Sequence, residues 1–167
     1  MPDVLTHLLV GISIALLVRS DGPRYEQLMI VLGAILIDIE RPFTWLLEGT
    51  PFYWIGISSA FHSILGAIIL SYVGAACFDL ETIIFKNRFK LILIGCASHL
   101  LLDMVMYPWA ELGLYLLYPL KIAFSFHLLW PDFWLYPIFG LSSLLFALCL
   151  RFLIARIKAT TSKHDLL

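Results

Sequence analysis

Charged residues are scarce in this chain, and their scarcity limits what the protein can be. Only 14% of the 167 residues are charged, whereas 61% are hydrophobic and the mean hydropathy is +0.93. Soluble domains are roughly 25% charged. The composition therefore indicates an integral membrane protein. The net charge of −1 is uninformative about nucleic acid, and since the chain has no basic block, no nucleic-acid partner is expected.

Cysteines are also few, and the usual features of a signal peptide are not found at the N-terminus. An odd number of cysteines, Cys77, Cys96 and Cys149, cannot form a closed disulfide framework, and their spacing matches no zinc or redox motif. The N-terminus has neither a basic region nor a small-residue cleavage site. We therefore expect the first apolar run to be retained as a membrane helix.

Long hydrophobic runs are what the chain has in abundance. Five of them lie at Val4–Val18, 28–47, 57–78, 89–106 and 133–157. A full membrane span needs about 20 residues, so the first run is short. The second is interrupted at residues 38–42, where the proline and the charges predict that a helix ends or kinks. These runs predict an all-α integral membrane protein, a bundle of about five transmembrane helices.

The stretch between the fourth and fifth runs has a different character. Residues 107–132 are rich in aromatic residues and contain prolines at 108, 119 and 131, which argue against one straight helix. We expect a re-entrant or interfacial segment there. Residues 1–157 are then expected to form a single membrane-embedded helical domain, followed by a polar C-terminal tail at 158–167.

The basic residues predict the orientation of the bundle. With five crossings, one side of the membrane carries nine of the 11 lysines and arginines, and the other side carries only Arg41 and Lys121. The positive-inside rule then predicts a multi-pass protein of the inner (plasma) membrane. Its N-terminus is expected outside and its C-terminus in the cytoplasm.

Ionisable residues inside the apolar runs form the most informative pattern. Six of them are predicted to fall in the outer half of the bundle, on four different helices: His7, Asp38, Glu40, His62, His99 and Asp103. His99 and Asp103 are four residues apart and share one helix face. Burying such groups in lipid is costly, so a compensating partner such as a cation is expected.

The donor types narrow the choice of cation. Imidazole and carboxylate groups suit a divalent metal, zinc first, with manganese or iron as alternatives. Six candidates could hold one metal with outer supporting groups, or two metals. Because a metal-activated water is a nucleophile near neutral pH, the pattern predicts a hydrolase centre near the outer face.

Simpler explanations exist for each residue alone. A lone histidine on an apolar helix is usually a packing residue, and the His99–Asp103 pair could hold two helices together. Asp38, Glu40 and Arg41 could form a local ion pair at a helix end, first of all Glu40 with Arg41. None of these explains why four helices place ionisable groups at one depth. His127 and His164 are not included in the predicted site.

The ordered motifs resemble a known family. TH near the N-terminus, GAILIDIE, FHSILGA and GCASHLLLDMVMYP, followed by YPL, resemble the membrane-bound metal-dependent hydrolases, also described as LexA-binding, inner membrane-associated hydrolases. The resemblance covers residues 6–120. The metal ligands that it implies are His7, Asp38, His62, His99 and Asp103. Glu40 is implied as a ligand or as the general base, so catalysis is assigned to Glu40 and Asp103.

The chain also departs from that family. Ile37 stands where the family has a proline, Glu40 where it has a second aspartate, and Ile57 and Ser58 where many members have a histidine–arginine pair. These departures leave open a reduced ligand set or a different substrate. A more distant similarity, to the zinc-dependent phospholipase C and P1 nuclease group with its H-x-x-x-D zinc pattern, implies a phosphate ester as substrate.

Two functions are therefore predicted. The first is a metal-dependent hydrolase that cleaves a phosphoester or other ester of a lipid or lipid-linked substrate. The alternative is a non-enzymatic membrane protein, a metal or proton transporter or a structural partner, with a degenerate metal site. The inner halves GISIALLV, AIILSYVGAAC and KLILIGCAS are nearly free of ionisable groups, which favours a one-sided site over a transport path. Membrane lipids are expected partners, and the oligomeric state is left open.

Overall fold

The computed structural model describes residues 4–19, 21–42, 46, 57–78, 82–105, 114–120, 122–124, 126 and 135–164. These residues form six α-helices and one 3₁₀ segment: α1 Val4–Val18, α2 Arg24–Leu36, the 3₁₀ segment Ile37–Glu40, α3 Ile57–Phe61, α4 Ile64–Phe78, α5 Thr82–Val105 and α6 Leu135–His164. Within the described ranges the only β-type pairing is one isolated bridge. The prediction of an all-helical protein is confirmed.

The helix bounds agree with the apolar runs in part. The first run and α1 coincide, and the predicted interruption of the second run is confirmed, because α2 gives way to the 3₁₀ segment at Ile37. α2 itself begins earlier than the run, at Arg24. The last helix continues past Lys158 to His164, so the first part of the expected polar tail is helical.

The centre of the bundle is the contact between α2 and α5. A Cβ added at Gly33 would overlap the carbonyl oxygen of Ile92, and one added at Gly95 would overlap the carbonyl oxygen of Ile30. Only glycine therefore allows these two backbones to approach so closely. The approach brings Ala34 of α2 within hydrogen-bonding distance of α5 and positions the ligand candidates on both helices.

The helices alternate in direction. Arg19, just after α1, contacts Glu26 at the start of α2, so α1 and α2 are antiparallel. Lys158, late in α6, contacts Asp21 at the same end of the bundle, so α6 runs in the direction of α1. α4 and α5 pack together and are separated by three residues, which makes them antiparallel too. Nε2 of His99, late in α5, is 4.0 Å from Oδ1 of Asp38, just after α2, so α5 runs in the direction of α2. α1, α4 and α6 therefore run one way, and α2 and α5 the other.

Several polar side chains are buried inside this bundle, and many large apolar side chains lie on its surface. The buried polar residues are Thr6, His7, Ser13, Asp38, Glu40, His62, Ser63, Ser71, Ser98, His99 and Asp103. On α6, by contrast, Leu145 and Phe146 are each 65% exposed. This distribution suits a bundle whose outer surface meets lipid, where apolar exposure carries no penalty.

One described helix is long and apolar enough to cross a membrane. Within α6, the span Leu135–Lys158 contains an 18-residue stretch with a mean hydropathy of 2.2, of which 11% is buried. α1 and α4 are apolar but only 15 residues long. The bundle of five transmembrane helices stays a prediction.

The segment 107–132 is described at residues 114–120, 122–124 and 126. An antiparallel backbone bridge joins Leu114 to Phe124. The backbone N–H of Ile64 donates to the carbonyl oxygen of Leu116 at 2.9 Å. This part of the segment is therefore attached to the start of α4. Its predicted re-entrant or interfacial position in the membrane stays a prediction.

Candidate metal centre

Six buried ionisable residues meet at one end of the bundle. They come from α1, the 3₁₀ segment, the break between α3 and α4, and α5: His7 (1% exposed), Asp38 (6%), Glu40 (2%), His62 (1%), His99 (1%) and Asp103 (5%). The sequence predicted that they share one depth, and the structure brings them together. Their role as metal ligands stays a prediction.

Asp103 lies at the middle of this group. Its Oδ1 is 3.3 Å from Nε2 of His7, and its Oδ2 is 3.3 Å from Nε2 of His99 and 3.6 Å from Nε2 of His62. Asp38 Oδ1 is 3.7 Å from Nε2 of His62 and 4.0 Å from Nε2 of His99. Two overlapping triplets, His7–His99–Asp103 and Asp38–His62–His99, each have donor atoms within 4.8 Å of one another.

The atoms that converge are not satisfied by hydrogen bonds within the described part of the chain. Nε2 of His62, Nε2 of His99 and both carboxylate oxygens of Asp103 have no such partner there. A buried polar atom without a partner costs free energy, so native proteins seldom leave several together. Ligands about 2.1 Å from a tetrahedral ion lie about 3.4 Å from one another, which is close to the observed spacing. The residues present therefore fit a divalent cation.

Two of the histidines are oriented by backbone carbonyls. Nδ1 of His99 is 2.7 Å from the carbonyl oxygen of Ala34, and Nδ1 of His62 is 3.0 Å from the carbonyl oxygen of Ser58. Because a carbonyl oxygen only accepts, each Nδ1 is the donor. In the neutral ring the lone pair then lies on Nε2, which faces the cluster. This is the arrangement in which a ligating histidine is held by its other ring nitrogen.

The third histidine is held by stacking. The rings of His7 and His99 are 3.6 Å apart at their centroids and 8° from parallel. The ring of His62 is tilted 60° to that of His99, with centroids 5.4 Å apart. α1 is thereby joined to α5 within the cluster.

The position of His62 depends on a helix break that its neighbour makes. Ser63 Oγ accepts a hydrogen bond from the backbone N–H of Gly66 at 2.9 Å and donates to the carbonyl oxygen of Ala60 at 2.7 Å. Ser63 is therefore the N-cap of α4. The comparable serine beside His99, Ser98, donates to the carbonyl oxygen of its own helix at Gly95.

Asp38 and Glu40 lie at opposite nitrogens of His62. Glu40 Oε1 accepts a hydrogen bond from Ser58 Oγ at 3.1 Å and is 3.9 Å from Nδ1 of His62, on the side away from the converging atoms. Arg41 Nε donates to Asp38 Oδ1 at 2.8 Å. Within the ion pair expected at this helix end, the short contact of Arg41 is therefore with Asp38.

The sequence did not identify three groups that support the cluster: the Ser58 hydroxyl, the Ala34 carbonyl and the glycine contact at Gly95. A signal existed for two of them. Ser58 precedes His62, and Gly95 precedes His99, by four residues, so each shares a helix face with its histidine. The Ala34 carbonyl has no side-chain signal. His127 lies outside the described residues.

These observations define a class of protein: a helical, membrane-associated bundle with a buried histidine–carboxylate cluster at one end. The family described as YdjM inner membrane protein matches residues 1–163, and the chain belongs to that family. No curated protein and no solved structure gives a significant match. The predicted inner-membrane location is confirmed at this level. Hydrolase activity and metal dependence stay predictions.

Proposed function

We propose that the protein is a membrane-embedded, metal-dependent hydrolase that cleaves a phosphoester of a lipid or lipid-linked substrate. The ligands would be the five residues whose Nε2 and carboxylate oxygens converge: His7, Asp38, His62, His99 and Asp103. A divalent cation held there, zinc first, would polarise the ester and supply a nucleophile from water near neutral pH.

The observation that carries the proposal is the set of buried donor atoms that lack hydrogen-bond partners in the described residues but share the spacing of a ligand shell. A purely structural histidine–aspartate pair would form short hydrogen bonds. Here the distances from histidine Nε2 to the aspartate oxygens are 3.3 to 4.0 Å. The outward Nδ1 contacts of His62 and His99 support the same assignment.

Glu40 is proposed to act through His62. Its Oε1 lies on the Nδ1 side of that ring and is held by Ser58. From there it can accept a proton or fix the ring, as the predicted general base would, without binding the cation itself. Arg41, whose side chain is 38% exposed, lies at the edge of the cluster beside Asp38. A guanidinium there suits the anionic oxygens of a phosphoester.

We further propose five crossings, with the N-terminus outside and the C-terminus in the cytoplasm. The alternating helix directions support this topology, as does the placement of the cluster opposite the end where Arg19 and Lys158 lie. Periplasmic and cytoplasmic reporter fusions at both termini test it. A cytoplasmic N-terminus would contradict the proposal.

The metal content of detergent-purified protein tests the site. Wild type should carry stoichiometric zinc, manganese or iron after reconstitution, and His99→Ala should lose it. The matched control is Ser98→Ala, a buried neighbour whose hydroxyl bonds only within α5. Equal metal in His99→Ala, or none in wild type after metal is added, would disprove the assignment.

The second test of the proposal measures hydrolysis of phosphoester lipids in mixed micelles. Loaded wild type should release product and His99→Ala should not. The alternative, a transporter, predicts cation flux in proteoliposomes without hydrolysis. A structural partner predicts neither.

A further inference from the structure

A groove between α1 and α2 lies at the end of the bundle opposite the candidate metal centre. It has a volume of about 290 Å³ and is lined by Ile12, Ala15, Leu16, Arg24, Gln27, Leu28 and Val31. Arg24 and Asp38 lie at opposite ends of α2 and its 3₁₀ extension, so the two sites are about 20 Å apart. The groove is therefore no part of the cluster.

The lining follows one stripe on each helix. The α1 residues are at positions 12, 15 and 16, and the α2 residues are at 24, 27, 28 and 31, which is the spacing of a single helical face. From 24 to 31 the groove extends along α2 for about 10 Å. Its walls are apolar, and its polar residues, Arg24 and Gln27, are both near the start of α2. The shape suits a flexible apolar chain with a polar end.

Near the polar end, the two described carboxylates closest to the groove in sequence already have basic partners. Glu26 is engaged by Arg19 at 3.2 Å, and Asp21 is engaged by Lys158 at 3.3 Å. Arg24 forms no ion pair with any carboxylate in the described ranges. Gln27 Nε2 donates to the carbonyl oxygen of Arg19 at 2.9 Å, which ties the groove's polar end to the end of α1. An anionic group would complete the charge balance at Arg24.

We propose that this groove binds an anionic phospholipid, with one acyl chain along the apolar walls and the phosphate on the guanidinium of Arg24. The chain belongs to a family of inner membrane proteins, so phospholipids are the ligands that surround it. Basic pockets between membrane helices bind anionic headgroups, and guanidinium groups bind phosphate through paired N–H donors. The acyl chain contributes by filling apolar space, and the headgroup contributes by charge. This lipid is structural and is distinct from any substrate of the metal centre.

Native mass spectrometry of the full chain in detergent, titrated with phosphatidylglycerol or phosphatidylcholine, tests the proposal. Wild type should retain one phosphatidylglycerol in preference to phosphatidylcholine. Arg24→Gln should reduce phosphatidylglycerol occupancy about fivefold and remove the preference. Leu16→Trp, which fills the groove without changing charge, should reduce the occupancy of both lipids.

The matched control is Lys158→Gln, which removes an exposed cation at the same end but outside the groove. It should leave the occupancy unchanged. An equal loss in Lys158→Gln would show general attraction to charge and overturn the proposal, as would unchanged binding in both Arg24→Gln and Leu16→Trp. A dimer disrupted by Leu16→Trp would assign the groove to a second copy of the chain. Thermal unfolding of each variant excludes misfolding as the cause.

Discussion

The two ends of this bundle hold similar residue types in opposite environments. At one end, histidines and carboxylates are 1% to 6% exposed. In the described ranges, no hydrogen bond joins these side chains to one another. At the other end, Lys158 and Asp21 form an ion pair with side chains 69% and 79% exposed. The first arrangement is costly unless something binds it, whereas the second contributes about 0 to 1 kcal/mol and is easily lost.

The comparison shows that burial, more than residue type, distinguishes a candidate site from an exposed charged surface. Both ends could be described as charged clusters in an apolar chain. In the described residues, the buried end has rings oriented by carbonyls, at His62 and His99. The exposed end instead has basic side chains and an apolar groove, for which we propose a lipid ligand.

Disrupting the close backbone contact between α2 and α5 should cause the largest loss of stability among these predictions. Gly95→Ala should lower the free energy of unfolding by about 3 kcal/mol or more, because the new Cβ meets the Ile30 carbonyl. Gly74→Ala is the control, since its Cβ would meet only side-chain atoms, at 3.3 Å. Thermal unfolding in detergent measures both. Equal melting temperatures would show that the helices are not so close.

Matched substitutions of one aspartate at each end should separate the two environments. Asp103→Asn keeps the shape but removes the carboxylate shared by three histidines, so metal affinity should fall by about 100-fold or more. Asp21→Asn, at the exposed end, should change stability by less than about 0.5 kcal/mol and leave metal binding intact. Calorimetric zinc titration gives the affinities. Similar effects from both would remove the distinction.

Adding or removing metal should change the stability of the protein through the buried cluster and not through the exposed end. Zinc at about 100 times its dissociation constant should raise the free energy of unfolding by about 2.7 kcal/mol, and a chelator should reverse the gain. The gain should persist in Arg24→Gln and vanish in His99→Ala. Stabilisation that survives His99→Ala would place the metal elsewhere.

A smaller effect on metal affinity is expected from the Ser58–Glu40 contact on the Nδ1 side of His62. Ser58→Ala removes the hydroxyl that bonds Glu40 but keeps the carbonyl that holds the ring. Metal affinity should fall about tenfold. Ser143→Ala, which removes a hydroxyl 3.2 Å from Ser13 at the α1–α6 contact, should leave that affinity unchanged. If Ser58→Ala behaves like Ser143→Ala, Glu40 does not act through His62.

The sequence predicted the fold more fully than it predicted the site. The bounds of α1 and the interruption after α2 follow from composition and from Pro42, because these are local properties. The start of α2 at Arg24 was missed, since its first turn is polar. At the site, one depth was predicted for six residues, yet Glu40 lies behind His62 and Arg41 pairs with Asp38. Those contacts depend on the tight 3₁₀ turn, which residue spacing does not encode.

By itself, the sequence determined the apolar helices, the scarcity of charge and the one-turn spacing of His99 and Asp103, since each follows from residue type and helical period. Only the tertiary structure decided which nitrogen of each histidine faces the cluster. It also decided that Gly33 and Gly95 bring two backbones together and that Arg24 borders a groove. These features arise between segments distant in the chain, where the close approach of two helices sets every distance and no local pattern records it.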